Sequence, residues 1–269
     1  MKKLLIVLII SALALSVVAY ASSLSGSIQL VGSTSIQPLA EELAQAFMTK
    51  NPGVKIFVQG GGSGAGITAA INGATDIGNS SRELKPEELA SGIHEIVIAK
   101  DGIAIIVNRT NSVKNLTIEQ IQKIYTGEYT NWKQVGGPDM TIAVVNREAG
   151  SGTRGAFEEI VLGKTLTPKM TNKCLVQAST GAVQQTVAIT KEAIGYISLG
   201  SLDSKTVKAI SVDGIEATVK NINSKKYKVW RPFLMLTKAT PRGVTKAFLD
   251  WILSPEGQKI VAKEFIAVK

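Results

Sequence analysis

Two residue types that carry much of enzyme chemistry are almost missing from this chain. Its 269 residues include one cysteine, Cys174, and one histidine, His94. A single thiol excludes a disulfide framework, and within Asn172-Lys173-Cys174-Leu175-Val176 it reads as a small core residue. A single imidazole largely excludes Ser-His-Asp, Cys-His and multi-histidine zinc arrangements by count, leaving His94 an ordinary residue at a strand start. Aromatics make up only 5% and the lysines are scattered, so no basic stripe or stacking platform for nucleic acid is present. There is no G-x-x-x-x-G-K-[ST] loop and no low-complexity or repeated segment. No catalytic residue, metal ligand set or cofactor is expected.

What is present begins with an address. Lys2 and Lys3 precede an apolar run, Leu4 to Ala19, that ends in Ala19-Tyr20-Ala21. This is the pattern of a secretory signal peptide, residues 1–21, cleaved after Ala21. The run is slightly short for a comfortable membrane span, and no cysteine follows it to carry a lipid. The mature chain is expected to start near Ser22 in the periplasm or another extracytoplasmic space. Without Lys2 and Lys3 it holds 28 basic against 21 acidic residues, a net charge of about +7, an excess that can steer anions.

Glycine and hydroxyl residues then recur where strands give way to helices. The most informative stretch is Arg147-Glu148-Ala149-Gly150-Ser151-Gly152-Thr153-Arg154, between an apolar run at Thr141–Val145 and a helical pattern at Gly155–Leu162. Such a turn aims backbone N–H groups one way, with the positive end of a helix dipole behind them. Ser151 and Thr153 add hydroxyls, and Arg147 adds a planar fork suited to a tetrahedral oxyanion. Three similar turns precede it. Ser33-Thr34-Ser35 follows a strand at Ser27–Val31 and stands before a helix with Pro38 in its first turn, its hydroxyls placed as N-caps or ligands. Gly60 to Gly66, holding Ser63, follows an alternating strand at Val54–Val58. Its G-x-G-x-x-A matches are a weak dinucleotide signal. Asn79-Ser80-Ser81-Arg82 follows a short strand at Asp76–Gly78, and Ser179-Thr180-Gly181 reads as a later turn. Strands and helices alternate through two stretches with a break near Asp101, where Lys100-Asp101 splits two apolar runs, which predicts two α/β halves rather than one sheet. Strand ends aligned on one edge would place their loops in one crevice. Lys225–Lys228 reads as a basic, exposed loop.

The order GSTSIQP, QGGGSGAG, DIGNSSREL, NREAGSGTR, AIGYISLG resembles the PstS family, the periplasmic phosphate-binding proteins of ABC-type phosphate importers. The resemblance spans essentially the whole mature chain, and REAGSGT is its most specific part. It implies an α/β, two-lobed type II periplasmic binding protein fold, with the ligand cleft between lobes joined by two hinge segments. Residues 22–100 with 229–269 would form lobe I, and residues 101–228 lobe II. It also implies inorganic phosphate as ligand and the membrane permease of an ABC importer as partner, with the chain monomeric and not an enzyme. Thr34, Ser35, Ser63 and Ser81 would bind phosphate from lobe I; Arg147, Ser151, Gly152 and Thr153 would bind it from lobe II, Gly152 through its backbone N–H.

Three positions depart from the family pattern. Several members carry phenylalanine where Ser35 stands. The best-studied pattern carries, where Ser81 stands, an aspartate that accepts the proton of bound phosphate and repels sulfate. The arginine's usual acidic neighbour is replaced by Ala149, with Glu148 available instead. The serine at 81 keeps open a binding protein for sulfate, molybdate or another tetrahedral oxyanion. A phosphate-ester enzyme using Ser151 as nucleophile is the third reading, and it lacks a visible base or metal site.

Overall fold

The computed structural model describes residues 24–163 and 169–268, so the expected signal peptide lies outside the described residues. None of their helices is long and apolar enough to cross a membrane. The chain opens with three parallel strands in the order β2-β1-β3: Ser25–Gly32 (β1), Gly53–Gln59 (β2) and Ile77–Ser80 (β3). Helices Gln37–Lys50 (α1) and Ser63–Asn72 (α2) supply the crossovers that parallel neighbours require. Leu39, Leu43 and Phe47 recur on one face of α1 and bury against Ile28 and Leu30 of β1. Each such side chain contributes about 1.5–3 kcal/mol by leaving water.

After a short turn of helix at Pro86–Leu89 (α3) comes a 15-residue strand, His94–Asn108 (β4). The expected break at Lys100-Asp101 is absent: β4 runs straight through it. Its first part pairs with Trp230–Thr237 (β10), which also pairs with β3. Its second part pairs with Ala193–Ser198 (β8) and Val207–Val212 (β9). A single hydrogen-bonded path therefore joins both halves of the molecule, β2-β1-β3-β10-β4-β8-β6-β7, where β6 is Ala143–Arg147 and β7 is Leu175–Gln177. Asn115–Leu116 (β5) pairs beside β9.

The polar residue that looked like a strand break is accommodated by an ion pair. Asp101 faces Arg231 across the β4–β10 ladder, and both side chains are buried. Arg231 donates from Nη2 at 3.0 Å and from Nε at 3.2 Å to Asp101 Oδ2, and Ser198 Oγ donates to Oδ1 at 2.9 Å. Burial pushes the Asp101 carboxyl up, opposed by the charge and hydrogen bonds of Arg231.

Apolar packing is divided on either side of this pair. On one side Phe47, Phe233, Phe248 and Phe265 share a core with β1, β2 and the helices α1 and Gly243–Ile252 (α8). On the other, Ile103, Ile105, Trp132, Tyr125, Phe157 and Tyr196 form a second core. It is roofed by Ile118–Thr126 (α4) and Gly152–Leu162 (α5). Phe157 stacks on Tyr196 at 4.0 Å, a contact beyond simple area burial. Thr180–Ile189 (α6) buries Val183 and Val187 on the opposite face. Val229 and Ile266, from late in the chain, pack into the second core rather than the first.

Several turn residues differ from the sequence reading. Thr117 caps α4 reciprocally with Gln120, and Ser254 caps Pro255–Val261 (α9), which has its proline in the first turn. The hydroxyls before α1 do not cap it. Ile36 holds the cap position, and the Ser33 carbonyl accepts from Ile36 N and Gln37 N. Asn79 and Ser80 belong to β3 rather than to a turn. In the basic stretch before β10, which follows Val219–Asn223 (α7), Lys225, Lys226 and Lys228 are exposed. Tyr227 is buried there, its hydroxyl donating to Ile103 O at 2.8 Å.

Candidate anion-binding site

Four helix N-termini meet where the two halves face each other. Just before α1 lies Ser33-Thr34-Ser35, and α2 begins at Ser63. Across from them, α5 begins at Gly152, capped by Ser151 Oγ accepting from Arg154 N at 3.2 Å, and α6 begins at Thr180, capped by Ser179. Each terminus adds about half a positive charge and several backbone donors to the junction.

The hydroxyls form one buried cluster. Ser33, Ser35, Ser63, Ser81, Ser151, Thr153 and Thr180 are all buried, and Thr34 is half-buried. Ser33 Oγ donates to Ser81 Oγ at 2.9 Å, and Ser81 Oγ lies 3.3 Å from Ser63 Oγ, which also accepts from Ser81 N at 3.0 Å. From the other half, Thr153 Oγ1 approaches Ser35 Oγ to 2.8 Å and Thr180 Oγ1 to 3.0 Å. Gly64 N donates to Gly150 O at 2.9 Å, so the halves touch through backbone too.

Two glycines are required by this proximity. Gly62, at φ +87°, turns the chain into α2, and a Cβ there would lie 3.0 Å from Gly150 O. A Cβ on Gly152 would come within 2.1 Å of Ser63 Oγ and 2.7 Å of Ser81 Oγ. The N-terminus of α5 can reach these serines only because residue 152 has no side chain.

Arg147 ends β6 with its side chain 2% exposed. Glu148 accepts from its Nε and Nη2 at 2.8 Å each, fixing the plane of the guanidinium in the bidentate manner. Nε also donates to Gln177 O at 3.2 Å, Nη1 to Thr180 Oγ1 and Nη2 to Thr34 Oγ1, both at 3.3 Å. Glu148 thus takes the place of the acid absent at Ala149. Below, Tyr196 hydroxyl and Arg147 N both donate to Asn146 Oδ1. Burial pushes the Tyr196 phenol far up, keeping it a donor. The second arginine of the motif serves elsewhere: Arg154 binds Glu158 and the Arg147 carbonyl.

All eight expected residues, Thr34, Ser35, Ser63, Ser81, Arg147, Ser151, Gly152 and Thr153, stand at this junction. Ser33, weighed with its neighbours in the sequence, belongs to the same cluster. Thr180 was missed, because Ser179-Thr180-Gly181 reads as a plain turn before a helix. Ser179 does the capping, which leaves Thr180 Oγ1 directed at Arg147 and Ser35. Cys174 is half-buried against the second core and His94 is exposed at the start of β4. No group of three acidic, histidine or cysteine side chains fit for a metal occurs among the described residues.

Known proteins share this architecture. The PBP superfamily domain matches residues 18–256. The phosphate-binding protein PstS of Bacillus subtilis is 35% identical over 242 residues, covering 89% of this chain and 79% of that one. The PstS of Borreliella burgdorferi is 32% identical over 252 residues, covering 90% of each. Among solved structures, a phosphate ABC transporter substrate-binding protein from Clostridium perfringens, with bound phosphate, superposes with a TM-score of 0.86. It is 48% identical over 91% of this chain and all of that one. An ABC-type phosphate transport receptor from Vibrio cholerae gives 0.75 at 39% identity, over 90% of this chain and all of that one. With this two-sided α/β fold and these relatives across nearly its whole length, the chain belongs to the PstS family of phosphate-binding proteins.

Proposed function

We propose that this chain captures inorganic phosphate between its two halves and delivers it to the membrane permease of an ABC importer. The observation that carries the reading is the buried ring of hydroxyls around Arg147, fed by four helix N-termini. A buried divalent anion is stable only when nearly every oxygen is hydrogen-bonded. Thr34, Ser35, Ser63 and Ser81 serve one side of the anion; Arg147, Ser151, Thr153 and the Gly152 N–H serve the other. Charge-assisted hydrogen bonds contribute roughly 1.5–3 kcal/mol each, so micromolar binding, about −8 kcal/mol, is within reach.

Residues 22–100 with 229–269 act as one lobe and residues 101–228 as the other, hinged where β4 and β10 cross. A ligand that contacts both lobes favours the closed form, which the permease reads. The protein works as an extracytoplasmic monomer after cleavage behind Ala21, without a cofactor, without nucleic acid and without catalysis.

The test is calorimetric titration of the mature, anion-stripped protein with phosphate and, separately, sulfate. Tight phosphate binding with negligible sulfate binding supports the reading; no phosphate heat overturns it. A second reading, a carrier for sulfate or molybdate, is favoured by one observation: position 81 brings a hydroxyl, not a carboxylate, to the hydroxyls of Ser33 and Ser63. Equal affinity for phosphate and sulfate would select it.

A further inference from the structure

Resting on the phosphate reading, we propose that Thr180 is a positioning residue of the anion site. Its hydroxyl aims the Arg147 fork and latches the two lobes together.

The case is one of hydrogen-bond counting. A threonine hydroxyl has one proton and two lone pairs. Thr34 Oγ1 accepts from Arg147 Nη2 at 3.3 Å and from Thr180 N at 3.4 Å, so both lone pairs are occupied. Its proton must point outward, toward Thr180 Oγ1 at 3.5 Å or toward an acceptor in the cleft. Thr180 Oγ1 in turn accepts from Arg147 Nη1 at 3.3 Å and stands 3.0 Å from Ser35 Oγ. Ser35 Oγ continues to Thr153 Oγ1 at 2.8 Å. A cation that only donates therefore polarises the chain Arg147–Thr180–Ser35–Thr153, turning hydroxyl protons away from itself. The unprotonated oxygens of phosphate only accept, and this polarity suits them.

Thr180 Oγ1 thus meets Arg147 and, at the same time, two residues of the facing lobe, Ser35 at 3.0 Å and Thr34 at 3.5 Å. Its loss would free one arm of the guanidinium and remove two cross-lobe contacts. Glu148 would still hold Nε and Nη2. The expected result is a weakened site in an intact fold.

The experiment compares Thr180→Val, which keeps the shape and loses the hydroxyl, with Thr180→Ser, which restores it. Phosphate affinity is measured by calorimetry and the dissociation rate by stopped flow, with thermal unfolding of the anion-stripped proteins alongside. Thr180→Val should bind phosphate about tenfold more weakly, with the loss in a faster dissociation rate. Thr180→Ser should return to within about threefold of the parent. The pair Thr180→Val with Ser35→Ala should be non-additive, since both disrupt one chain of hydroxyls; this cycle also decides the matter if Thr180→Val alone unfolds at a lower temperature. Parental affinity and dissociation rate in Thr180→Val would overturn the proposal while leaving phosphate capture standing. Additive losses in the cycle, or a Thr180→Ser protein as weak as Thr180→Val, would overturn it too. A parent protein that ignores phosphate would overturn phosphate capture itself.

Discussion

Two buried arginines of this protein each hold a carboxylate through Nε and Nη2, Arg147 across both oxygens of Glu148 and Arg231 on one oxygen of Asp101. Arg231 grips Asp101 where β4 and β10 cross, both side chains being at most 1% exposed. Arg147 grips Glu148 at the junction of the halves, but Glu148 is 29% exposed and so remains partly solvated. The company each pair keeps differs more than the pairs do. Beside Arg231 lies Phe233, its ring 5.4 Å away, and the Ser198 hydroxyl serves the aspartate. Around Arg147 stand hydroxyls that accept from the guanidinium itself. An ion pair sealed among apolar groups is a structural joint, since a partner lost leaves a bare buried charge. On the proposed reading, the same pair set among hydroxyls and helix N-termini serves as a receptor for a further charge.

The comparison breaks most severely at the joint. Asp101→Ala should lower unfolding stability by about 3–5 kcal/mol, read by urea denaturation, while the remaining folded protein binds phosphate within a few-fold of the parent. A stable Asp101→Ala protein with lost affinity would reverse the roles assigned to the two arginines. Gly152→Ala comes next. Its methyl would displace Ser63 and Ser81 or hold the halves apart, and phosphate affinity should fall about a hundredfold, ~2.7 kcal/mol, with the melting temperature little changed. Near-normal binding would mean that the α5 N-terminus does not close on the serines as described. The smallest effect is expected from Ser198→Ala, which removes one donor from Asp101. It should cost about 1.5 kcal/mol of stability and leave phosphate affinity alone, the mirror image of Thr180→Val.

The receptor was far more legible in the sequence than the joint. Its parts are local: a glycine that admits close approach, a hydroxyl beside a helix start and an arginine at a strand end each sit within a few residues of one another. Gly150-Ser151-Gly152-Thr153 therefore announces an N-terminus open to an anion before any folding is considered. The joint depends on partners 130 residues apart. Lys100-Asp101 read alone looks like the end of a strand, because a carboxylate inside an apolar run has no visible reason to be buried. Only the opposing Arg231 lets β4 continue. Thr180 was hidden for a related reason, since a hydroxyl at a helix start has two possible tasks and the sequence cannot say which of two neighbours performs the capping. Element ends shifted too: Arg147 closes its strand by pairing with Gln177 of β7, and α2 opens at Ser63, within the glycine run rather than after it.

The most direct test of the receptor is calorimetric titration of anion-stripped Arg147→Ala with phosphate, beside the parent and with unfolding followed in the same samples. The account predicts a parent that binds at micromolar or better, and a variant that folds normally and gives no measurable heat of binding. A variant that folds and loses less than tenfold in affinity would contradict it, and the seat of the anion would have to lie elsewhere in the molecule.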